Sequence, residues 1–194
     1  LVNSTDLIKL RKLIDRKKPL QNVGFRCVSI KPIYQSKEVF IESGLCRLGS
    51  DIDKFKQISD SYNLPTALRR PILRRLVKSY KLHDYKILST CVTNEEYFKF
   101  TKNEGKKWPS HWNVCWLDRF KYPFPPRLGS MPVVNINAME AQAYCRWSQA
   151  RLPDWKEWER AASGLDRRSY PWGDDYCAAR CNSEDSGRGS LASV

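Results

Sequence analysis

Three short helices, each opened by a residue that can cap its first turn, limit how this chain can fold. Thr93, Asn137 and Asp154 each precede a stretch with apolar residues at helical spacing. Side chains of these types accept hydrogen bonds from the first free backbone N–H groups of a helix. Glu96 and Glu157 follow Thr93 and Asp154 by three residues, which completes a capping box at each site. The predicted helices cover residues 94–102, 138–149 and 155–163.

Short extended segments alternate with these helices. Runs rich in β-branched and aromatic residues favour strands, and the predicted strands cover residues 23–28, 39–48, 80–92 and 131–136. Residues 105–130 hold four prolines among six large aromatic residues, which predicts an ordered loop packed over a core rather than a regular helix. The pattern predicts an α+β fold with short strands, two main helices and long ordered loops.

Composition excludes two classes of protein. Hydrophobic residues make up 41% and charged residues 28% of the 194 residues, which is too apolar for a disordered chain and enough for one sizeable core. No window approaches the roughly 18 uninterrupted apolar residues that a membrane-spanning helix needs. We therefore expect no membrane partner.

The chain is strongly basic, with a formal net charge of +13, which favours contact with nucleic acid or with acidic protein surfaces. Residues 52–78 form a polar, basic insertion, and a candidate phosphate-binding patch lies in and just after it. Its residues are Arg69, Arg70, Arg74, Arg75, Lys78 and Lys81. If residues 72–78 are helical, several of these charges share one face. A solvated insertion is the alternative, because no base-stacking aromatic residues are interleaved within the run.

Seven dispersed cysteines give an odd count, unlike the dense, even framework of a small secreted domain. We therefore expect most of them to be reduced and buried in a cytoplasmic protein. Cys177 and Cys181 have the spacing of half a metal site. However, His83 and His111 are the only histidines, and no second cysteine pair at finger spacing exists.

Five short motifs follow one another in the second half of the chain. Pro-Val, Ala-Tyr-Cys-Arg-Trp, Arg-Leu-Pro, Glu-Trp-Glu and Tyr-Pro-Trp-Gly-Asp occupy residues 132–133, 143–147, 151–153, 157–159 and 170–174. In this order they resemble the family of formylglycine-generating enzymes and sulfatase-modifying factors, and Val92-Thr93-Asn94 is similar to an earlier helix start of that family. The resemblance implies a C-type-lectin-like fold.

The order of the family's segments differs at both ends. Residues 22–27, Asn-Val-Gly-Phe-Arg-Cys, are similar to a signature that ends the domain in this family, yet here they stand near the start. The resemblance implies that residues 1–34 are the C-terminal tail of a preceding domain. Residues 38–194 would then be the N-terminal part of a second domain, with the basic insertion at 52–78. Circular permutation of one domain would produce the same order.

The resemblance also implies chemistry that this chain holds only in part. Formylglycine-generating enzymes oxidise a substrate cysteine with molecular oxygen, using two copper-binding cysteines just before the Gly-Phe-Arg-Cys signature. Residues 1–22 contain no cysteine, so we expect copper only if an active site lies outside this chain. An iron-dependent branch of the family needs closely spaced histidines, which are absent from the sequence.

Two further features follow from the resemblance. Family members often bind calcium after the Trp-Gly turn, which implies Asn182 and Ser183 as possible ligands, and oxygen donors of this kind suit Ca²⁺. Members of the family can also join the cysteines that correspond to Cys27 and Cys145, and such a disulfide here would support permutation or association of the two pieces. Buried thiols are the expectation in a reducing cytosol.

The leading hypothesis is a noncatalytic binding or interaction module of this family within a larger protein. It rests on the missing cysteines before Phe25 and on the basic insertion. Its partner would be another protein or other domains of the same protein. One alternative is a copper- and oxygen-dependent oxidoreductase with its active site beyond Val194. Another is a module that associates with nucleic acid through the basic cluster.

Overall fold

The computed structural model describes residues 26–29, 38–49 and 77–194, together with the isolated positions 56, 60, 63 and 65. Its strands are β1 (Val28–Ser29), β2 (Glu38–Ile41), β3 (Gly44–Leu48), β4 (Lys78–Leu82), β5 (Tyr85–Leu88) and β6 (Ala150–Arg151). Its α-helices are α1 (Asn94–Glu104), α2 (Cys115–Phe120), α3 (Ala138–Trp147) and α4 (Trp155–Ser163). Short 3₁₀ turns cover Pro126–Leu128, Ala178–Arg180 and Glu184–Ser186. Helices and small sheets together give the α+β character that the sequence predicts.

These elements belong to two compact units. The hairpin unit holds the described residues of Glu42–Asp84 and Asp154–Tyr176. The core unit holds the described residues of 26–41, Tyr85–Pro153 and Cys177–Val194.

A four-stranded sheet in the order β2-β5-β1-β6 lies in the core unit. All of its neighbouring strands are antiparallel, and the short β1 has a partner on each side. Val28 is opposite Ile87 of β5 and opposite Arg151 of β6. The backbone N–H of Leu88 also donates to the carbonyl of Cys27 at 3.1 Å. Arg26 and Cys27, the described end of the Gly-Phe-Arg-Cys signature, therefore lead into an inner strand of the sheet.

An aromatic cluster from α1, α3 and the following loops forms the hydrophobic core of this unit. Tyr97 stacks against Tyr144 with ring centroids 5.7 Å apart, and Phe98 and Phe100 contact further rings. Burying one side chain of this size stabilises a fold by about 1.5–3 kcal/mol. The inward orientation predicted for Tyr97, Phe98 and Phe100 is confirmed.

All three predicted helix starts are confirmed. Thr93 and Asp154 each form the predicted capping box with the glutamate three residues later, and Asn137 forms a further one with Glu140. The predicted helix 155–163 has the observed bounds. Helix α1 extends two residues further than predicted, and α3 ends two residues earlier.

The strand predicted over residues 131–136 is wrong. The segment makes one isolated bridge, between Thr93 and Pro132, and a hydrogen bond from the Val133 N–H to the Val92 carbonyl. Pro132 has no N–H to donate, and Asn135 has a φ of 57°, which turns the backbone out of the extended region.

Three other predictions also need correction. The strand predicted over residues 39–48 is two strands, β2 and β3, in different units and different sheets. The loop predicted over residues 105–130 contains the short helix α2, which fits between Pro109 and Pro123 because that stretch has no proline. Among the described residues three helices, rather than two main ones, have nine to eleven residues.

The hairpin unit pairs β3 with β4 and packs α4 beside them. The Tyr80 ring meets the Trp155 ring edge-on at 5.4 Å, and the ammonium of Lys156 lies 5.0 Å from the Tyr80 centroid. The N–H of Gly49 donates to the Glu159 carboxylate at 2.7 Å. Helix α4 is therefore tied to the hairpin by aromatic, cation–π and hydrogen-bond contacts.

None of the helices in the described ranges is both long and apolar enough to cross a bilayer.

Candidate functional site

Two cysteines meet in the interior of the core unit. Cys27 precedes β1 and Cys145 lies on α3, and their Sγ atoms are 2.8 Å apart. Their exposed fractions are 2% and 1%. One thiol donates a hydrogen bond to the other, and both are free thiols in the structure. Since an S–S bond is about 2.05 Å long, the disulfide that the resemblance implies would require an approach of only about 0.8 Å.

The surroundings of the pair keep Cys27 protonated. The hydrogen bond with Cys145 and then burial raise the pKa of the Cys27 thiol far above its ordinary value, and the charge of Glu96 adds to the effect. Burial likewise raises the pKa of the neighbouring Tyr144. A thiolate is the form that attacks electrophiles, so this environment suppresses nucleophilic attack by Cys27.

The pair does not fit a metal site in this arrangement. Two thiolates on one metal, each at about 2.3 Å, lie roughly 3.8 Å apart in tetrahedral geometry, whereas these sulfurs are separated by 2.8 Å. A metal would also need both thiols deprotonated. Copper chemistry therefore finds no support at Cys27 and Cys145, and their contact holds the residue before β1 against α3.

The remaining cysteines differ in exposure. Cys46 is buried like Cys27 and Cys145, whereas Cys115 is exposed and the other three cysteines are half-buried. Fewer than half of the seven thiols are therefore buried, and the expectation that most of them are is wrong. The Sγ of Cys181 contacts the Cys177 carbonyl at 3.7 Å and the Ser183 hydroxyl at 3.4 Å. No group of three or more histidine, cysteine, aspartate or glutamate side chains with metal-site geometry occurs in the described part of the chain.

Only two residues of the candidate basic patch fall among the described ones. Lys78 and Lys81 are both exposed and lie at the first and fourth positions of β4. Because side chains alternate along a strand, they stand on opposite faces. Arg69, Arg70, Arg74 and Arg75 lie outside the described residues. Lys78 itself begins a strand, so the helix considered over residues 72–78 does not include it.

The face of the hairpin that carries Lys81 has a second cation. Lys81 is opposite Leu45 in the register, and Arg47, two residues after Leu45, shares its face. All three side chains are exposed. Neither Arg47 nor Lys81 makes an ion pair with any described residue.

The candidate calcium residues lie in a loop held together by its own hydrogen bonds. The side-chain amide of Asn182 donates to the Ser190 carbonyl at 2.8 Å, and the Ser186 hydroxyl donates to the Ser183 carbonyl at 2.6 Å. Calcium takes six to eight oxygen ligands, and two of this loop's oxygens, those of Ser183 and Ser190, already accept protein hydrogen bonds. Calcium binding by Asn182 and Ser183 stays a prediction.

Sequence reasoning missed an open cleft in the core unit, at the C-terminal end of α1. Its volume is about 520 Å³, and its rim carries Lys102, Lys106 and Lys107. Trp108 and Trp112 form part of its wall. The available signal was the run Lys106-Lys107-Trp108 directly after Gly105, which ends α1 with a φ of 60°.

Comparison with known proteins gives relatives of two named activities. Inactive C-alpha-formylglycine-generating enzyme 2 of Bos taurus is 46% identical over 52 residues, which are 26% of this chain and 17% of that protein. Formylglycine-generating enzyme of Thermomonospora curvata is 46% identical over 55 residues, 26% of this chain and 18% of that protein. Hercynine oxygenase of Mycolicibacterium smegmatis is 31% identical over 178 residues, 80% of this chain and 39% of that protein. The chain thus spans less than half the length of each of these relatives.

A sequence model of the Sulfatase-modifying factor enzyme 1-like domain matches residues 30–193. That range covers well over half of the chain and contains all five motifs on which the resemblance rests. The predicted resemblance is confirmed, and the protein belongs to the family of sulfatase-modifying factor enzyme 1-like domains.

Proposed function

We propose that this chain is a noncatalytic binding or interaction module within a larger protein, with another protein or other domains of the same protein as its partner. The family contains relatives whose names describe active and inactive formylglycine-generating enzymes, so membership alone is compatible with either role. The C-type-lectin-like fold belongs to the same proposal. Its support is the family match together with short strands and three capped helices.

The Cys27–Cys145 pair carries this proposal. In the described residues it is the closest approach of two thiols, and its burial, its hydrogen bond and the raised pKa of Cys27 favour a structural role. A catalytic cysteine needs a thiolate that solvent and substrate can reach. We also propose a cytoplasmic location, for which the odd, dispersed set of seven cysteines in the sequence is the support.

The test uses the full-length parent protein. It is incubated with Cu(I), oxygen and a cysteine-containing peptide, and mass spectrometry follows conversion of the peptide thiol to an aldehyde. We expect the peptide to remain unmodified, while an active formylglycine-generating enzyme converts it in the parallel control. Aldehyde formation by the parent protein would overturn the proposal in favour of an oxidoreductase with its active site outside this chain.

A second candidate function is association with nucleic acid, and the exposed Arg47–Lys81 face of the hairpin favours it. Two cations without ion-pair partners among the described residues lie together on this face. The sequence adds Arg69, Arg70, Arg74 and Arg75 shortly before β4. Lysine and arginine contacts to phosphate release counterions, so such binding weakens as salt increases.

Salt-dependent binding distinguishes this function. The logarithm of the binding constant for a duplex oligonucleotide is measured against the logarithm of salt concentration for wild type and for Arg47→Gln/Lys81→Gln. We expect the slope to fall by about 2 in the double variant, since each phosphate contact contributes about 0.9. Lys99→Gln/Lys121→Gln removes equal charge from the core unit and should leave the slope unchanged. Equal losses in both variants would show nonspecific attraction and exclude a site on the hairpin.

A further inference from the structure

The cleft at the C-terminal end of α1 has a lining rich in hydrogen-bond donors. Its rim has the three ammonium groups of Lys102, Lys106 and Lys107, and no acidic side chain lines it. Neither Trp108 nor Trp112 donates its indole N–H to any described residue. All charged groups of this lining are cationic, so a ligand with negative charge and hydrogen-bond acceptors complements it.

Its walls are aromatic and firmly supported. Trp112 has an exposed fraction of 9% and packs against Phe124 with ring centroids 4.8 Å apart. Trp108 is half-buried and meets Phe98 edge-on at 6.2 Å. The floor includes Thr101, whose hydroxyl donates to the Phe98 carbonyl at 3.0 Å. The contact with Phe98 limits the motion of the Trp108 ring, and a planar group can stack on an aromatic ring fixed in this way.

The charge balance of the cleft favours a dianion. The C-terminal end of α1 contributes roughly half a negative charge, which three ammonium groups outweigh. A phosphate monoester carries about −1.5 to −2 at neutral pH, which complements the remaining positive charge better than a single carboxylate does. The cleft is open to solvent, with a volume of about 520 Å³, so the charged groups and the aromatic wall rather than enclosure would hold the ligand.

We propose that this cleft binds a small organic phosphate with a planar ring, of the mononucleotide class. The phosphate contacts Lys102, Lys106 and Lys107, and the ring stacks on Trp108. The residues that line the cleft do not include Cys27 or Cys145, and the proposal does not depend on whether the parent protein is catalytic.

The experiment compares three probes on the full-length protein: adenosine monophosphate, adenosine and inorganic phosphate. Titration calorimetry measures each affinity, and nitrogen-15 spectra follow the indole N–H signals of Trp108 and Trp112. We expect the monophosphate to bind at least about tenfold more tightly than either fragment, equivalent to about 1.4 kcal/mol. It should shift both indole signals.

Two variants and one control test the assignment. Lys106→Gln/Lys107→Gln changes only exposed side chains and should weaken monophosphate binding by about tenfold or more. Trp108→Leu should reduce the affinity for the monophosphate without changing that for inorganic phosphate. Lys99→Gln/Lys121→Gln should bind as the wild type does. Monophosphate affinity equal to that of inorganic phosphate, or unchanged in Trp108→Leu, would overturn the proposal, provided that circular dichroism shows the variant folded.

Discussion

The Sγ atom of Cys27 lies 2.8 Å from the Sγ atom of Cys145, although 118 positions separate the two residues in the sequence. This contact anchors the residue before β1 on α3. It adds a side-chain contact to the few ladder hydrogen bonds that a two-residue strand can make.

Thiol reactivity follows from this burial. In the native protein we expect iodoacetamide to label Cys115 first, because Cys115 is exposed. Cys27 should be among the last to react, since its pKa is raised and its exposed fraction is 2%. Peptide mapping at successive times gives the order, and unfolding in urea should equalise the rates. Labelling of native Cys27 as fast as Cys115 would contradict the structural role of the pair.

The core should resist alkaline pH up to a limit set by its tyrosines. Burial, with a smaller effect of the Glu140 charge, raises the pKa of Tyr97 to about 12 from an ordinary value of 10.0. The fold favours the neutral phenol, so this contribution to stability is fully present below pH 10 and is lost as pH rises through about 12. Phenolate absorbance and circular dichroism, recorded together, should show that Tyr97 ionises only as the protein unfolds.

The comparison variant is Tyr97→Phe, which has no phenol to ionise. It should lose stability less steeply between pH 10 and 12 than the wild type. Equal steepness in the two proteins would rule out Tyr97 as the titrating group.

The start of α1 depends on a buried amide. Asn94 has an exposed fraction of 5%, and its Nδ2 donates to the Leu128 carbonyl at 2.8 Å. Asn94→Ala removes this donor, while the Leu128 carbonyl still accepts from the Met131 N–H at 3.1 Å. We therefore expect a loss of about 0.5–1.5 kcal/mol in the free energy of unfolding, the usual net value of one hydrogen bond. Asn103→Ala, at an exposed position of the same helix, should change it by less than about 0.5 kcal/mol. Urea unfolding measures both, and similar values would refute the assigned role of Asn94.

The cap of α4 allows a prediction for the hairpin unit. Asp154 Oδ1 accepts from the N–H groups of Lys156 and Glu157, each at 2.8 Å. Asp154→Ala should therefore destabilise the protein by about 1 kcal/mol. Asp175→Ala removes an exposed carboxylate outside the helices and serves as the control. A thermal midpoint that falls equally in both variants would mean that the cap contributes nothing specific.

Local signals accounted for the helices. Thr93, Asn137 and Asp154 act through hydrogen bonds to residues two or three positions away, so the sequence alone contains what is needed to recognise them. Gly164 ends α4 with a φ of 68°, a conformation that glycine adopts without steric cost. Motif order likewise predicted the family, since the five motifs are contiguous segments.

Long-range pairing could not be predicted in the same way. The position of β1 between β5 and β6 depends on contacts across most of the chain, and residues 28–29 are too short to show a periodic pattern. The break of residues 39–48 into β2 and β3 depends on which strands each one joins. The cleft was missed because Lys102 and the Lys106–Trp108 run converge only after Gly105 reverses the chain direction.

The inner position of β1 has a consequence for the time course of folding. Joining segments 118 residues apart costs about 4 kcal/mol of loop-closure entropy before any contact is gained. Helices α1 and α3 form from nearby residues, so we expect them to assemble early and β1 to insert last. Until then the edges of β5 and β6 have unpaired backbone groups, and a partly folded molecule can pair there with β1 of a second copy.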